Sequence, residues 1–371
     1  MKKLLVLVLA AVMTLALSVP AFAAYEGEGG VYTFPTTYSE NEYAGQIIKF
    51  LDEKLQELSD GKISLDIYWG GTVMASGEEI EAIGSGMFDM TLIGQSNYTA
   101  ELSLLNFPSQ VSTGYADSVK LMDTIAFENE KTAPYVQAEI EENNLKMLGS
   151  LPGGSNSFIT KTEYTSLDEM KGITLGIGMN QSAMEALGFT VVSMMPWDYY
   201  DQLSRGVAEA GYMSTTALVS MGLQEVTPFF LADGTYTAGN FITINLDRWN
   251  EMSEEDQAVF VEASKAAQEY AIEIAGTMDE EVSEEIEAAG GKLQSLGEED
   301  GAKVLEAFFE TGVADAKGYA IAADTVEAMD IIIAEVAAMN GFEVPDVEAT
   351  VAQTGDSDGE SADGESADLE G

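Results

Sequence analysis

Short runs of alternating apolar and polar residues recur along this chain, and segments with helical spacing separate them. Residues 63–67 and 173–177 are two such runs, both typical of half-buried strands. Residues 47–58 place apolar side chains every three or four positions, which predicts an amphipathic helix. Strands and helices joined by short connections form βαβ units, so the pattern predicts an open α/β fold. Ligands of such folds bind beyond the carboxyl ends of the strands.

Residues 166–213 are the part of the chain where these signals are densest. Ser166 and Glu169 have the spacing of a capping box, and Gly172 is suited to end the one-turn helix that follows. After the strand at 173–177, Asn180 is placed to cap the next helix. Pro196 begins a further helix. We therefore place the organising centre of the fold here.

The two ends of the chain differ in composition from its body. Residues 1–23 combine Lys2 and Lys3, an apolar run and a small-residue cleavage site, which predicts a secretory signal peptide. Since no cysteine follows it, we expect a periplasmic or secreted protein that is not a lipoprotein and does not insert into the membrane after cleavage. Residues 345–371 are acidic and repetitive, which predicts a disordered tail.

The overall composition excludes several functions. The 371 residues contain no cysteine and no histidine, so disulfides, thiol catalysis and ordinary serine or cysteine triads are absent. A formal net charge of −48 repels phosphate backbones and anionic lipids, which argues against nucleic-acid binding. We also expect no cofactor and no metal site, because the many glutamates are best explained as solvated helix faces.

Several segments resemble a known family of binding proteins. In the second half they are Leu167-Asp168-Glu169-Met170-Lys171-Gly172-Ile173, the run from 195 to 203, and the run from 206 to 210. In the first half, Asn41-Glu42-Tyr43, Gly61-Lys62-Ile63 and Gly86-x-x-Asp89-Met90 occur in matching order and spacing. With these segments the chain resembles the DctP-like solute-binding proteins of tripartite ATP-independent periplasmic (TRAP) transporters. The resemblance extends to about residue 341.

The resemblance implies a two-lobed periplasmic-binding-protein fold of the α/β class, with mixed sheets, hinge strands and long C-terminal helices. It places lobe I at residues 25–149 plus about 236–260. Lobe II and the spanning helices then occupy residues 150–235 plus about 261–341. It further implies that a small organic solute binds between the lobes and passes to the subunits of a TRAP-type membrane permease.

Carrying the family's cleft over to this sequence gives an unusual lining. An arginine that clamps the ligand carboxylate in the family falls on Gly176, and a second family arginine falls on Asn156. The amide that follows the segment at 206–210 in the family falls near Met213. Loops at the ends of strands supply the remaining candidates. The ligand-binding residues predicted in this way are Thr36, Trp69, Gln95, Tyr98, Asn156, Gly176, Asn180, Trp197 and Met213.

This lining predicts the charge of the ligand. A buried carboxylate without a guanidinium or several aligned amides costs several kcal/mol, so we expect a neutral, zwitterionic or cationic ligand held by rings and amides. Two alternatives stay open. Trp69, Trp197 and Tyr200 could be ordinary core aromatics, or Lys161 or Lys171 could reach in and restore anion binding.

Two other functions compete with solute binding. An exported hydrolase that depends on carboxylates could use Asp66, Asp89, Asp198 or Asp201, provided that two of them face each other across a cleft. A secreted acidic protein that buffers ions would fit the tail, but it would not need an ordered α/β body. Solute binding without catalysis remains the principal hypothesis.

Overall fold

A computed structural model describes residues 25–348 of the chain, apart from residues 99, 179 and 323. The predicted signal peptide and nearly all of the predicted acidic tail lie outside the described residues. The strands are β1 (Gly30–Pro35), β2 (Ile63–Tyr68), β3 (Met90–Gly94), β4 (Leu145–Thr160), β5 (Thr174–Ile177), β6 (Thr190–Ser193), β7 (Ala210–Ser214), β8 (Phe229–Asn245) and β9 (Lys292–Ser295).

Helices connect and cover these strands. They are α1 (Tyr43–Leu58), α2 (Glu79–Gly84), α3 (Ser103–Asn106), α4 (Tyr115–Asp123), α5 (Ala133–Glu142), α6 (Leu167–Met170), α7 (Gln181–Ala186), α8 (Tyr199–Arg205), α9 (Thr215–Ser220), α10 (Leu246–Asn250), α11 (Glu254–Ala288), α12 (Glu298–Ala322) and α13 (Val326–Asn340). Short 3₁₀ turns occur at Gln95–Asn97, Pro108–Gln110, Pro196–Asp198 and Leu223–Glu225. Within the described residues, no helix is long and apolar enough to cross a bilayer.

Two long strands join the halves of the molecule. Among the described residues, the larger sheet has seven strands in the order β3-β8-β4-β7-β5-β6, with β9 paired to β8. β3 pairs with one end of β8, and β7 pairs with the opposite end of β4, so β4 and β8 run from one half into the other. Parallel and antiparallel pairs occur in the same sheet, as expected for a mixed α/β fold.

β4 is longer than the sequence predicts. The pattern predicts a strand over 145–151 followed by a loop over 152–156, because Pro152, Gly153 and Gly154 favour a turn. The strand instead continues to Thr160, and its pairing with β8 changes register on both sides of Pro152. Irregular pairing accommodates a residue that has no amide hydrogen, so the proline bends the strand without ending it.

Among the residues that the structure describes, four apolar clusters form the core, two in each half. Side chains of α1, β1 and β2 pack with the first part of α11, where Phe260 is fully buried. A second cluster joins the helices that follow β3 to α12 and α13. The third cluster includes side chains of β5, β7 and α7. The fourth includes side chains of α8 and α9. We call the halves the first lobe and the second lobe.

Two helices belong to both lobes. α11 buries Phe260 against the first lobe and Ile286 against the second. Neighbouring residues of α12 do the same, since Phe309 packs into the first lobe and Phe308 into the second. The predicted lobe boundaries at 149 and 235 remain a proposal. That proposal places α13 with lobe II and the spanning helices, whereas the apolar residues of α13 pack into a cluster of the first lobe.

Candidate ligand-binding cleft

A cavity of about 470 Å³ lies between the two lobes. In the first lobe, loops that follow β3 supply residues that line the cavity. In the second lobe, β4, β7 and the ends of β5 and β6 supply lining residues. Among the described residues, its lining consists of Gln95, Ser109, Gln110, Asn156, Ile177, Gly178, Asn180, Met195, Tyr199, Tyr212, Met213, Ser214, Thr237 and Phe308. None of these side chains is charged at neutral pH, and amides and aromatic rings are prominent among them.

Asn156 is held by a buried network beneath the cavity. Its Nδ2 donates to Thr235 Oγ1 at 3.1 Å, and it also hydrogen-bonds to the hydroxyl of Tyr212. Thr235 Oγ1 in turn donates to Asp233 Oδ1 at 2.8 Å, and the Tyr212 hydroxyl donates to Asp233 Oδ2 at 2.6 Å. Because its amide hydrogens serve this network, the hydrogen-bonding atom that remains on the Asn156 side chain is Oδ1, an acceptor.

The carboxyl group of Asp233 is almost completely enclosed. Burial raises its pKa to about 6, while hydrogen bonds from Tyr212 and Thr235 act in the opposite direction. The same burial, with the neighbouring Asp233 carboxylate, holds the pKa of Tyr212 well above its ordinary value. Tyr212 therefore remains a neutral hydrogen-bond donor, and Asp233 fixes the direction of its hydroxyl.

A second amide pair lies at the edge of the cavity. Asn180 Nδ2 donates to Gln110 Oε1 at 2.8 Å. Asn180 follows β5 in the second lobe, whereas Gln110 ends a 3₁₀ turn of the first lobe. Asn180 occupies the position before α7 that the sequence predicts for a cap, but its side chain makes no capping hydrogen bond. The side chain serves the contact between lobes instead.

Gly176 lies directly behind the cavity wall. A Cβ atom at this position would lie 2.4 Å from Met194 Cε and 2.7 Å from Met194 Sδ. The thioether of Met194 thus occupies the space that a larger side chain would need. The Gly176 carbonyl accepts a hydrogen bond of 3.2 Å from the Tyr199 hydroxyl, so the glycine positions one of the cavity's rings.

The structure distributes the nine predicted ligand-binding residues unevenly. Gln95, Asn156, Asn180 and Met213 line the cavity, and Gly176 adjoins it. The remaining four do not line it. Their roles as ligand contacts stay predictions, and their surroundings give each of them another function.

Three of these four are engaged within the first lobe. The Tyr98 hydroxyl accepts a hydrogen bond from Glu79 N at 2.8 Å and donates to the Glu79 carboxylate, which ties it to the start of α2. Thr36 is buried, and its Oγ1 accepts a hydrogen bond from Tyr38 N. Trp69 is half-buried against the cluster that surrounds α1.

Trp197 has a different environment, in the second lobe. It is 78% exposed and belongs to the 3₁₀ turn before α8. The neighbouring Met195 does line the cavity, while Tyr200 is exposed and donates to Glu225. The ring of Trp197 therefore projects into solvent rather than into the protein core.

The lysines proposed as alternative anion contacts lie on the surface. Lys161 Nζ donates to Ser204 O at 3.0 Å, and Lys171 pairs with Asp168 at 2.6 Å. The two arginines also have partners outside the cavity. Arg205 pairs with Asp201, and Arg248 lies within reach of Asp89 and over the ring of Tyr32.

The aspartates considered for hydrolysis are spread over both lobes. Asp66 accepts from Tyr68, and Asp89 accepts from Thr33, both in the first lobe. Asp201 pairs with Arg205 in the second lobe. None of the four candidates lines the cavity, and the described residues contain no cluster of acidic groups suited to a metal ion.

Sequence reasoning missed several residues of the lining. Tyr199 and Tyr212 lie in elements that the sequence predicts, but their inward direction depends on how α8 and β7 pack. Phe308 comes from α12, about 100 residues after the other second-lobe contributors. Gln110 follows a proline in a turn without helical or strand periodicity. Only the position of Tyr212 beside the predicted Met213 offered a signal in the sequence.

The chain matches the model of a known protein family. The model of the DctP family, described as bacterial extracellular solute-binding protein, family 7, matches residues 34–311. The chain belongs to this family. The resemblance to TRAP-type solute-binding proteins is therefore confirmed, and with it the assignment of this chain as an extracellular solute-binding protein.

Curated solute-binding proteins are similar over most of this chain. A solute-binding protein of Roseobacter denitrificans is 25% identical over 269 residues, which cover 70% of this chain and 79% of that protein. Its solved structure contains bound L-galactonate and has a TM-score of 0.56 at 19% identity, covering 81% of this chain and 98% of that one.

Two further solved structures confirm the two-lobed fold. A TRAP periplasmic solute-binding protein from Ochrobactrum anthropi has a TM-score of 0.70 at 15% identity, covering 85% of this chain and 97% of that one. One from Rhodobacter sphaeroides, described as an apo open structure, has a TM-score of 0.67 at 19% identity, covering 84% and 99%.

Proposed function

We propose that this family 7 protein captures a small organic solute without net negative charge and delivers it to a TRAP-type membrane permease. It acts as an exported protein that is not a lipoprotein, and it performs no chemistry on the solute. The observation that carries the ligand class is the cavity lining, which contains no cationic side chain among the described residues.

The cost of burying an anion supports this ligand class. A carboxylate removed from water without a cationic partner loses several kcal/mol of solvation, and isolated amides recover only part of it. Lys161, Lys171, Arg205 and Arg248 lie outside the lining. The acidic background of the chain adds a further repulsive field, since the net charge is −48.

The polarity of the amides points to ligands that donate hydrogen bonds. Asn156 offers an oxygen because its amide hydrogens serve Thr235 and Tyr212. The rings of Tyr199, Tyr212 and Phe308 provide flat apolar surface beside it. Hydroxyl, amide N–H and ammonium groups on a compact carbon skeleton fit such a lining.

Transport without catalysis fits the remaining chemistry of the cleft. Catalysis by carboxylates would need two acidic groups a few ångströms apart across the ligand. The proposed aspartates are divided between the lobes instead, and Asp66, Asp89 and Asp201 contact Tyr68, Thr33 and Arg205, respectively. The long strands β4 and β8 that link the lobes suit opening and closing by a hinge.

Calorimetry with matched ligands tests the ligand class. L-galactonate and galactitol share a carbon skeleton and differ in one carboxylate, so we expect the anion to bind more weakly or not at all. Mass spectrometry of solute co-purified from native cells should identify a neutral, zwitterionic or cationic compound. Micromolar binding of L-galactonate without binding of uncharged analogues would disprove the proposal.

Delivery to a permease needs a separate test. Proteoliposomes that contain a TRAP permease from the same genome should accumulate the co-purified solute only when this protein is added. Uptake at the same rate without the protein, or chemical conversion of the solute during incubation, would contradict the proposed role.

A further inference from the structure

A second chamber of about 270 Å³ adjoins the main cavity. Gln110, Gly178, Asn180 and Phe308 line both spaces, so the two chambers share a boundary. The other residues that line the second chamber are Asn106, Phe107, Val111, Gly312, Asp315, Ala316 and Tyr319. A ligand in the main cavity can therefore extend one end past the amide pair into this space.

One face of α12 forms a wall of the second chamber. Phe308, Gly312, Asp315 and Tyr319 follow one another at intervals of four, three and four residues, which places them on one side of a helix. Gly312 brings the helix close to the first lobe, because a Cβ atom there would lie 3.3 Å from the ring of Phe107. The aromatic residues Phe107, Phe308 and Tyr319 therefore line the same chamber as Asp315.

Asp315 is the one charged residue in the lining of either chamber, among the residues that the structure describes. It is half-buried. Lys317 lies two positions further along α12, and its Nζ donates to Val347 O. Each oxygen of a carboxylate can accept more than one hydrogen bond, so a carboxylate that already has a partner within the protein can still bind a cationic group.

We infer that the second chamber binds the positively charged end of the ligand, an ammonium or similar organic cation, at Asp315. The rings of Phe107, Phe308 and Tyr319 add favourable cation–π contacts, and the uncharged remainder of the ligand lies among the amides of the main cavity. The inference rests on the proposed function and narrows it from solutes without net negative charge to organic cations. The negative field of the chain also attracts such ligands toward the cleft.

Two isosteric probes test the inference. Choline and 3,3-dimethylbutan-1-ol have nearly the same shape and differ by one positive charge. Thermal-shift and calorimetric titration of the ligand-free full chain should show stronger binding of choline. The variant Asp315→Asn should weaken choline binding about tenfold or more, while its effect on the neutral alcohol stays within about twofold.

A variant on the same helix serves as the control. Glu310→Gln removes one negative charge from an exposed position of α12 that lines neither chamber, so choline binding should not change. Asp315→Glu keeps the charge and should retain preference for the cation. Circular dichroism melting of all variants checks that each one folds.

Because choline represents only one shape, metabolite capture completes the test. Wild type and Asp315→Asn are incubated with a small-metabolite extract, and retained compounds are identified by mass spectrometry. Retention of organic cations by wild type and their loss from Asp315→Asn supports the inference. Equal retention of neutral compounds by both proteins overturns the cation site but leaves the proposed function intact. Retention of anions, or of nothing at all, overturns the proposed function as well.

Discussion

The side-chain amide of Asn180 donates a 2.8 Å hydrogen bond to Gln110 and thereby joins the two lobes beside the ligand cavity. Asn180 has a backbone φ of +57°, a left-handed conformation that asparagine tolerates better than most residues. The residue at position 180 therefore has two separate requirements: it adopts a left-handed backbone, and its side-chain amide bonds to the other lobe. Because the bond exists only when the lobes are close together, it favours the closed state.

Removal of this bond should weaken ligand binding. We expect Gln110→Ala and Asn180→Gly each to lower affinity about two- to tenfold, the range that corresponds to about 0.5–1.5 kcal/mol for one hydrogen bond. Glycine is preferred at 180 because it keeps the left-handed backbone while it deletes the amide. Calorimetry with the co-purified solute measures the effect.

A double-mutant cycle separates this bond from contacts with the ligand itself. If the two amides act through each other, the double variant should lose no more affinity than either single variant. Gln56→Ala, which removes an exposed amide on α1, is the control and should leave affinity unchanged. Fully additive losses would show that each amide contacts the ligand independently.

The sequence predicted four cavity residues, two from the order of the strands and two from the family resemblance. Gln95 and Asn180 follow strands β3 and β5, and Asn156 and Met213 were located by matching the family's segments. Such positions depend on local pattern and on the direction of the strands. They require no knowledge of how distant helices pack.

The residues that sequence reasoning could not assign depend on tertiary packing. Phe308 reaches the cavity only because α12 crosses both lobes. Trp69 directly follows β2, but β2 pairs with β1 in a separate two-stranded sheet, and the indole packs against the first lobe. Tyr98 turns toward the backbone of α2, which no periodicity in the sequence indicates.

Substitution of Gly176 should reveal how tightly the wall behind the cavity is packed. Gly176→Ala places a Cβ atom 2.4 Å from Met194 Cε, and Met194 is 1% exposed, so its thioether has little room to move aside. We therefore expect a loss of about 1–3 kcal/mol in the free energy of unfolding. Gly276→Ala is the matched control, because a methyl group at this position of helix α11 would meet no neighbouring atom within 4 Å. That variant should gain about 0.5–1 kcal/mol. Urea denaturation distinguishes the two, and equal effects would contradict the packing argument.

Substitution of two aromatic residues should affect ligand affinity to very different extents. Phe308 lines both chambers and is 6% exposed, so Phe308→Leu should lower solute affinity at least about tenfold through lost ring contacts. Trp197→Ala should change affinity less than about twofold, because the indole is exposed and lines neither chamber. A large loss in the tryptophan variant would instead support the sequence-based prediction that this ring packs on the ligand.

The buried carboxyl of Asp233 should make stability depend on pH. Burial raises its pKa from 3.8 to about 6 in the folded protein. Between these values the folded state holds more protons than the unfolded state, so its contribution to the free energy of unfolding falls as pH rises. A difference of about two pKa units corresponds to about 3 kcal/mol lost between pH 4 and pH 7.

Asp233→Asn isolates this contribution, because asparagine does not titrate. Asp123, Asp279 and Glu139 also have raised pKa values, but they are present in both proteins and cancel in the comparison. Urea denaturation of both proteins from pH 4 to pH 8 should show wild type losing stability relative to the variant as pH rises. Parallel curves would mean that Asp233 keeps an ordinary pKa, and the buried network beneath Asn156 would then be more hydrated than its geometry indicates.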